Sequence, residues 1–303
     1  GLSGCGVAFK LAQAFLQKNN LTDAELHPLL DLVALSIAAD IVPMIGENRV
    51  LAYFGLQRIN RTERPGLVAL IDISGKQRPF SVSDVVFGLA PLINAAGRLA
   101  DADQAVKLLL STSKAVAADN ARVLLHRNQL RKAHDQQIQE EAAQLFEKTP
   151  DHEALRSLVL FNPGWHKGVI GIAAARMVER FHRPAILLTE SNGLAVGSAR
   201  TVPGFNIYKA IKSCEDLLVN FGGHDHAAGL TMPLDAVPVF QKSFEAAVQN
   251  SITEEQLVPE LMVAATLDFK EITPSFWRIL KQFAPFGPGN HSPTFVSKNV
   301  LDT

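Results

Sequence analysis

Only two cysteines occur in the 303 residues, Cys5 and Cys214. So few and so far apart, they build neither a disulfide framework nor a CxxC metal or redox motif, and they suit a reducing cytoplasm. An excess of one charge is also missing: 29 Lys and Arg stand against 30 Asp and Glu, a net charge of −1. That balance gives no global pull on nucleic acid, so any polyanion must be held by a local basic groove. Long apolar runs are absent; Leu29 to Ile45 comes closest, and Asp31 and Asp40 interrupt it. The opening Gly1-Leu2-Ser3-Gly4 has no basic region of the kind that starts a signal peptide. What is present excludes disorder, since 47% of residues are hydrophobic and 19% charged. The length suits about two domains with a sizeable core. The class expected is a soluble, cytoplasmic, multidomain α/β protein with no membrane partner.

Helical periodicity dominates the first half. Val7, Leu11, Ala14 and Phe15 share one face, and His27 to Ala39 reads as a buried helix that ends before Asp40. Gly46-Glu47-Asn48-Arg49 reads as a turn. Arg64-Pro65-Gly66 opens a helix, and Ser83 is the expected N-cap of a helix over Asp84 to Ala90 that Pro91 limits. From Ala102 to Glu147 there is neither proline nor glycine, which predicts long helices, broken at Ser111-Thr112-Ser113, that connect domains. Thr149-Pro150-Asp151 ends them.

The second half alternates. Strands are expected at Leu158–Phe161, Pro184–Leu188, Leu194–Ser198 and Ala228–Met232, and helices at Gly168–Phe181, Asn206–Cys214 and Leu234–Gln249. Asn192-Gly193 marks a hairpin. After Ile252 come a strand at Met262–Leu267, a helix capped by Thr273-Pro274, a Pro/Gly-rich loop from Pro285 to Pro293 and a strand close to the C-terminus.

Several blocks could carry chemistry. Gly1-x-x-Gly4-x-Gly6 is a poor dinucleotide fingerprint, because Phe9 stands where the third glycine belongs and no strand precedes it. Asp40 follows an apolar segment, where a carboxylate must be hydrogen-bonded, paired or ligated to a metal. Asn94-Ala95-Ala96-Gly97-Arg98 pairs small residues with a planar donor suited to phosphate, before a helix. Trp165-His166-Lys167-Gly168-Val169-Ile170-Gly171 lies between a strand and a helix, where backbone N–H groups favour an anion. Gly197-Ser198-Ala199-Arg200 offers a hydroxyl, amides and a guanidinium at a strand end. Phe221-Gly222-Gly223-His224-Asp225-His226 reads as a glycine-rich loop, and its HxH pair is weak evidence for a metal without a third ligand nearby. No GxSxG supports acyl chemistry. Three phosphate-friendly loops together favour a polyanion.

In order, these blocks resemble the DHH/DHHA1 phosphoesterases, and among them the RecJ-type single-strand-specific 5′→3′ DNA exonucleases. Ala39-Asp40-Ile41-Val42-Pro43 with Gly46-Glu47-Asn48-Arg49 is similar to the last aspartate block of the DHH domain. The blocks at Arg98, His166, Ser198 and Gly222-Gly223-His224 follow in the RecJ order. Ala284-Pro285-Phe286-Gly287-Pro288-Gly289-Asn290 is similar to the stretch leading into the OB-fold. The resemblance implies an α/β architecture: the C-terminal part of a DHH catalytic domain over 1–100, a connecting helix over 101–150, a mixed α/β DHHA1 substrate-binding domain over 151–252 and the start of an OB-fold over 253–303. It places the active site between the DHH and DHHA1 domains. The DxD and Asp-His-His motifs of such enzymes lie upstream of the block resembling Leu2 to Lys10. No Asp-His-His occurs here, and Asp101-Ala102-Asp103 is out of order. The expectation is therefore a fragment, inactive alone.

The resemblance also implies roles. The reaction is metal-dependent phosphodiester hydrolysis with two Mn²⁺ or Mg²⁺ ions, of whose ligands Asp40 is the one retained. His224 contacts the scissile phosphate. Ser198, the Ala199 amide and Arg200 hold the 5′-terminal phosphate with help from Arg98, while His166, Gly168, Gly222 and Gly223 line the same site. Single-stranded DNA with a 5′ end is the expected partner, in repair and recombination, together with a single-stranded-DNA-binding protein and a helicase. The alternatives are a DHH/DHHA1 oligoribonuclease or cyclic-dinucleotide phosphodiesterase, and a non-catalytic nucleic-acid-binding module. Asp225 and His226 carry no assigned role.

Overall fold

The Ser3 hydroxyl accepts from the Gly6 N–H and starts α1 (Gly4–Lys18), the first element of the computed structural model, which describes residues 1–99 and 102–300. The stripe expected to be buried faces out: Val7, Leu11 and Phe15 are 56%, 72% and 63% exposed. The side of α1 that packs on α2 (Leu30–Ala39) is instead set by Gly6 and Phe9. A 3₁₀ turn over Asp23–Leu29 precedes α2, so the α-helix begins later than its periodicity suggests. Pro28, which has no N–H to give, falls in that turn. Next comes α3 (Gly46–Ile59), which packs closely on α2 because Gly55 lies against the Leu30 carbonyl and the Ala34 methyl. Gly46 to Arg49 is thus the first helical turn of α3 and not a free turn. Its polar residues have helical work: Asn48 is buried and donates to the Gly1 and Pro43 carbonyls, both at 3.0 Å, and Glu47 meets the positive helix end.

Helix α4 (Pro65–Ser74) opens on its proline as expected. The N-cap of α5 (Val82–Asp84) is Ser81, not Ser83. Ser81 Oγ accepts from the Asp84 N–H at 3.2 Å, and the Asp84 carboxylate accepts from the Ser81 N–H at 3.0 Å, a closed capping box. Pro91 does not stop this helix. A π-helical stretch, Val85–Leu89, leads straight into α6 (Ala90–Leu99), and the wider turn relieves the clash of a proline ring with the preceding carbonyls. The block from Asn94 to Arg98 therefore lies inside a helix rather than before one. By length and composition alone Val82 to Leu99, and not Leu29 to Ile45, could cross a membrane; its buried Val85, Leu89, Leu92 and Ala96 belong to the core.

Two further helices, α7 (Asp103–Leu110) and the 34-residue α8 (Lys114–Glu147), flank the break at Ser111 to Ser113. The expected border between residues 100 and 101 falls on Ala100 and Asp101, outside the described residues. The chain forms two units, Gly1–Asn128 with the stretch from Leu261, and Gln129–Glu260, so the division falls inside α8.

The second unit adds β1 (Leu158–Phe161), α9 (Ile170–Phe181), β2 (Ala185–Ser191), β3 (Leu194–Arg200), α10 (Ile207–Lys212), β4 (Asn220–His224), β5 (Ala227–Pro233) and α11 (Val237–Gln249). The sheet order is β1-β2-β3-β5-β4; β1 and β2 are parallel, joined by α9, and every other pair is antiparallel. Asn192 and Gly193, with φ of 55° and 76°, make the tight turn between β2 and β3. One sheet face buries Ile186, Leu188, Ala199 and Leu230 with Phe240 and Phe244 of α11; α9 packs on the other. β4 corrects the loop expected at Phe221 to His226: Gly222 and Gly223 belong to an edge strand held by β5.

The stretch from Leu261 contributes β6 (Ala265–Thr266), α12 (Pro274–Leu280) capped by Thr273, and β7 (Phe295–Val296), which pairs in parallel with β6. Within its unit it meets the start of α3, where an Arg49 Nη donates to the Phe283 carbonyl at 3.0 Å and the Met44 N–H to that of Pro288 at 2.6 Å.

Candidate functional site

Strand register assembles four of the expected residues of the second unit, Ser198, Arg200, Gly222 and His224, on one face. Ser198 lies opposite Gly229 of β5, which lies opposite Gly222 of β4; one step along, Arg200, Ala227 and His224 form a parallel row. Directly opposed residues of antiparallel strands point to the same side. Each row therefore spans two strand spacings, about 10 Å. The floor is nearly bare of side chains: Gly222 and Gly229 are exposed, and a methyl group at Gly222 would meet nothing within 4 Å. Gly223 is a glycine for another reason. At φ +151° a β-carbon would run into the Ala227 carbonyl, so the β4–β5 hairpin closes only around glycine here.

One wall of this face is a fixed polar pair. Arg200 Nη1 donates to Ser198 Oγ at 3.0 Å and to the Ala199 carbonyl at 2.7 Å. The start of α9 abuts them: a β-carbon on Gly171 would stand 2.9 Å from Ser198 Oγ and 3.1 Å from an Arg200 nitrogen. Ala199 is fully buried between Ile186 and Ala228, so its peptide sits inside the ladder and its part is to space Ser198 from Arg200. The other wall is His224, exposed at the end of β4. Its Nδ1 accepts from the His226 N–H at 3.2 Å, so the neutral ring carries its proton on Nε2 as a donor. The hairpin is anchored by Asp225, which accepts from the Asn206 amide at 2.8 Å and, through its carbonyl, from the Ile207 N–H at 3.1 Å.

The loop from Asn162 to Gly168 is held by groups that no local motif marks. Glu141 of α8 accepts from Trp165 Nε1 at 2.8 Å and from the Asn162 amide at 3.2 Å, while Thr189 donates to the Trp165 carbonyl at 2.7 Å. His166 receives the Gly168 N–H on Nδ1 at 3.1 Å, and its carbonyl accepts from Val169 and Ile170 as α9 begins. Its ring lies 5.4 Å from that of His134. Burial, then His134 and Lys167, push the His166 pKa below the ordinary histidine value, so the ring is a neutral donor at Nε2 near pH 7. Glu141 and His134 are separated from the loop by more than twenty residues, and only the packing of α8 reveals them.

In the first unit Asp40 caps the end of α2. It is exposed, its N–H goes to the Ser36 carbonyl at 3.0 Å, and Ser36 Oγ stands 3.4 Å from its carboxylate. The buried acid of this helix is Asp31. Arg64 grips it through Nε at 3.1 Å and an Nη at 3.3 Å, and the Thr62 hydroxyl donates at 3.0 Å. Arg98 is exposed in the last turn of α6. Among the described residues no group of three His, Cys, Asp or Glu side chains could hold a metal ion. Asp40 thus offers a single carboxylate, which does not complete a two-cation centre.

Residues 155–250 match the DHHA1 domain family and residues 263–302 the RecJ OB domain family. The chain is 38% identical to the single-stranded-DNA-specific exonuclease RecJ of Bacillus subtilis over 99% of its own length and 38% of that protein's. Against RecJ of Escherichia coli it is 35% identical, covering 97% of this chain and 54% of the other. Among solved structures it superposes on Thermus thermophilus RecJ in complex with Mg²⁺ with a TM-score of 0.86 and 31% identity, over 96% of this chain and 44% of that one. A manganese-bound exonuclease RecJ gives 0.69 and 32%, over 82% and 61%. The chain spans 38% and 54% of the lengths of the two RecJ proteins of Bacillus subtilis and Escherichia coli.

Proposed function

Starting from a chain that is RecJ-like along its whole length, we propose that its DHHA1 sheet face holds the 5′-phosphate end of single-stranded DNA, and that the whole protein is a metal-dependent 5′→3′ exonuclease of repair and recombination. The observation that carries this is the double row of Ser198-Gly229-Gly222 and Arg200-Ala227-His224. A terminal phosphate laid on the glycine floor meets a guanidinium and a hydroxyl on one side and an imidazole donor on the other. Arg200 supplies the charge-assisted bonds, and Ser198 fixes the fork of its guanidinium. The His224 hydrogen bond strengthens as negative charge grows on the attacked phosphate. The start of α9 closes the same side, with Gly171 against Ser198 and Arg200. None of these groups reads a base, so the grip is independent of sequence.

When bound, Mn²⁺ or Mg²⁺ would activate water and neutralise phosphate charge. Asp40 is the residue proposed to ligate one ion and Arg98 to add a phosphate contact. The described residues do not form a complete cation site, so no step is assigned through it. A single-stranded-DNA-binding protein and a helicase are the proposed partners, and the cytoplasm the proposed location. The match to a RecJ OB domain favours this reading over a dinucleotide phosphodiesterase.

The test incubates the 303-residue chain and Mn²⁺ with labelled single-stranded DNA and, separately, with linear and cyclic dinucleotides. Binding of the single strand with little release of nucleotide is expected. Preferential dinucleotide binding would favour the rival, and robust DNA turnover would overturn the view that Asp40 stands alone among these residues as a metal ligand.

A further inference from the structure

A cavity of the first unit, about 770 Å³, is lined by none of the residues assigned a role in phosphate or metal binding above. It opens between the 3₁₀ turn before α2 and the end of α3, and Phe54, Arg58, Arg61 and Arg64 line it. Its volume is that of an ordinary ligand site. Arg64 is spoken for by the buried Asp31. Arg58 and Arg61 are different: both are exposed, and neither guanidinium has an ion-pair or hydrogen-bond partner among the described residues. Of the carboxylates at the cavity, Asp31 is neutralised by Arg64, leaving Glu63 against two unpaired guanidiniums; His27 lies 3.9 Å from Asp23. The cavity wall is also aromatic. Phe54 is 50% exposed, and Tyr53, equally exposed, meets it edge to face with centroids 5.2 Å apart.

From these features we propose that this face of α3 is a second contact for single-stranded nucleic acid, deepening the function proposed above and resting on it. A base stacks on Phe54, which Tyr53 braces, and the neighbouring phosphates lie on Arg58 and Arg61. From Tyr53 to Ile59, where α3 ends, the helix rises about 9 Å, room for a short run of nucleotides. Aromatic faces interleaved with cations suit an unpaired strand, whose bases are free to stack, better than a duplex. The carbonyls at the C-terminal end of α3 repel an anion, so the grip depends on the two guanidiniums.

The experiment measures binding of a fluorescent oligo-dT and of an acidic poly-Glu peptide to the full 303-residue chain across a salt series. Arg58→Glu/Arg61→Glu should weaken oligo-dT binding about tenfold or more and flatten the salt slope, by about 0.7 per lost phosphate contact. Phe54→Ala should weaken it about fivefold or more with the slope unchanged. Unchanged thermal unfolding shows that the exposed substitutions leave the fold intact. Equal oligo-dT binding by all variants, or a loss confined to poly-Glu, would overturn the proposal. If Arg200→Ala alone loses binding, this second contact falls and the DHHA1 face stands. If the unmodified chain binds no single strand, both fall.

Discussion

Arg200 donates to Ser198 across a single intervening residue of β3, 3.0 Å from nitrogen to hydroxyl oxygen. Alternation along a strand puts these two side chains on one face and sends Ala199 into the opposite core. A three-residue stretch thus becomes a preset anion wall. Ser198→Ala should leave folding intact and weaken binding of a 5′-phosphorylated single strand severalfold, because the guanidinium loses one anchor; titration with labelled oligonucleotide checks it.

Gly222 and Gly223 are adjacent yet should respond oppositely to alanine. Gly223→Ala meets the Ala227 carbonyl and a left-handed backbone, and should lower stability by about 1–3 kcal/mol. Gly222→Ala points into open space and should leave stability within about 0.5 kcal/mol while crowding the binding floor. Urea unfolding together with DNA titration of both variants separates the two effects.

The two aspartates of α2 make a second contrast. Asp31→Asn breaks a buried pair and should cost about 3 kcal/mol or more, since Arg64 keeps its charge with no counter-ion. Exposed Asp40→Asn should change stability by less than about 0.5 kcal/mol. Chemical denaturation of both variants decides this, and a large loss at Asp40 would assign it a structural duty.

His166 gives a pH dependence. Its pKa is lowered in the folded chain, so the unfolded chain binds the proton more readily. This residue's destabilising contribution should set in as pH falls through the ordinary histidine value of about 6.5 and be complete below its folded value. Proton NMR should find His166 titrating below that ordinary value. Burial is the main cause and His134 the next. His134→Ala should therefore raise it by uncovering the ring and removing the neighbouring imidazole, and an unmoved titration would contradict the part assigned to His134.

How much of this was written in local sequence varied with the kind of interaction. Asn192-Gly193 announced its hairpin because the turn needs left-handed backbone at both positions. The break at Ser111 to Ser113, the long helix and the Thr273 cap were equally local. β4 was not legible: glycines disfavour a strand in isolation, and only pairing with β5 makes one. Ser81 displaced Ser83 as N-cap because Asp84 stands three residues after it and closes the box. Pro91 does not stop its helix, because the π-helical stretch before it makes room for the ring, which a proline in sequence does not signal. At the site, Ser198, Arg200 and His224 were visible as motifs. Their common row was not, because register is fixed by the core on the far face. Glu141 and His134 act across tertiary packing and left no local mark.

The most direct measurement compares affinity for the same single-stranded oligonucleotide carrying a 5′-phosphate or a 5′-hydroxyl, using the unmodified chain and Arg200→Ala. A charge-assisted pair is worth about 1.5–3 kcal/mol, so the unmodified chain should prefer the phosphorylated end by about tenfold or more, and the variant should show a ratio near one. If Arg200→Ala weakens both oligonucleotides equally and preserves their ratio, the sheet face does not hold the terminal phosphate.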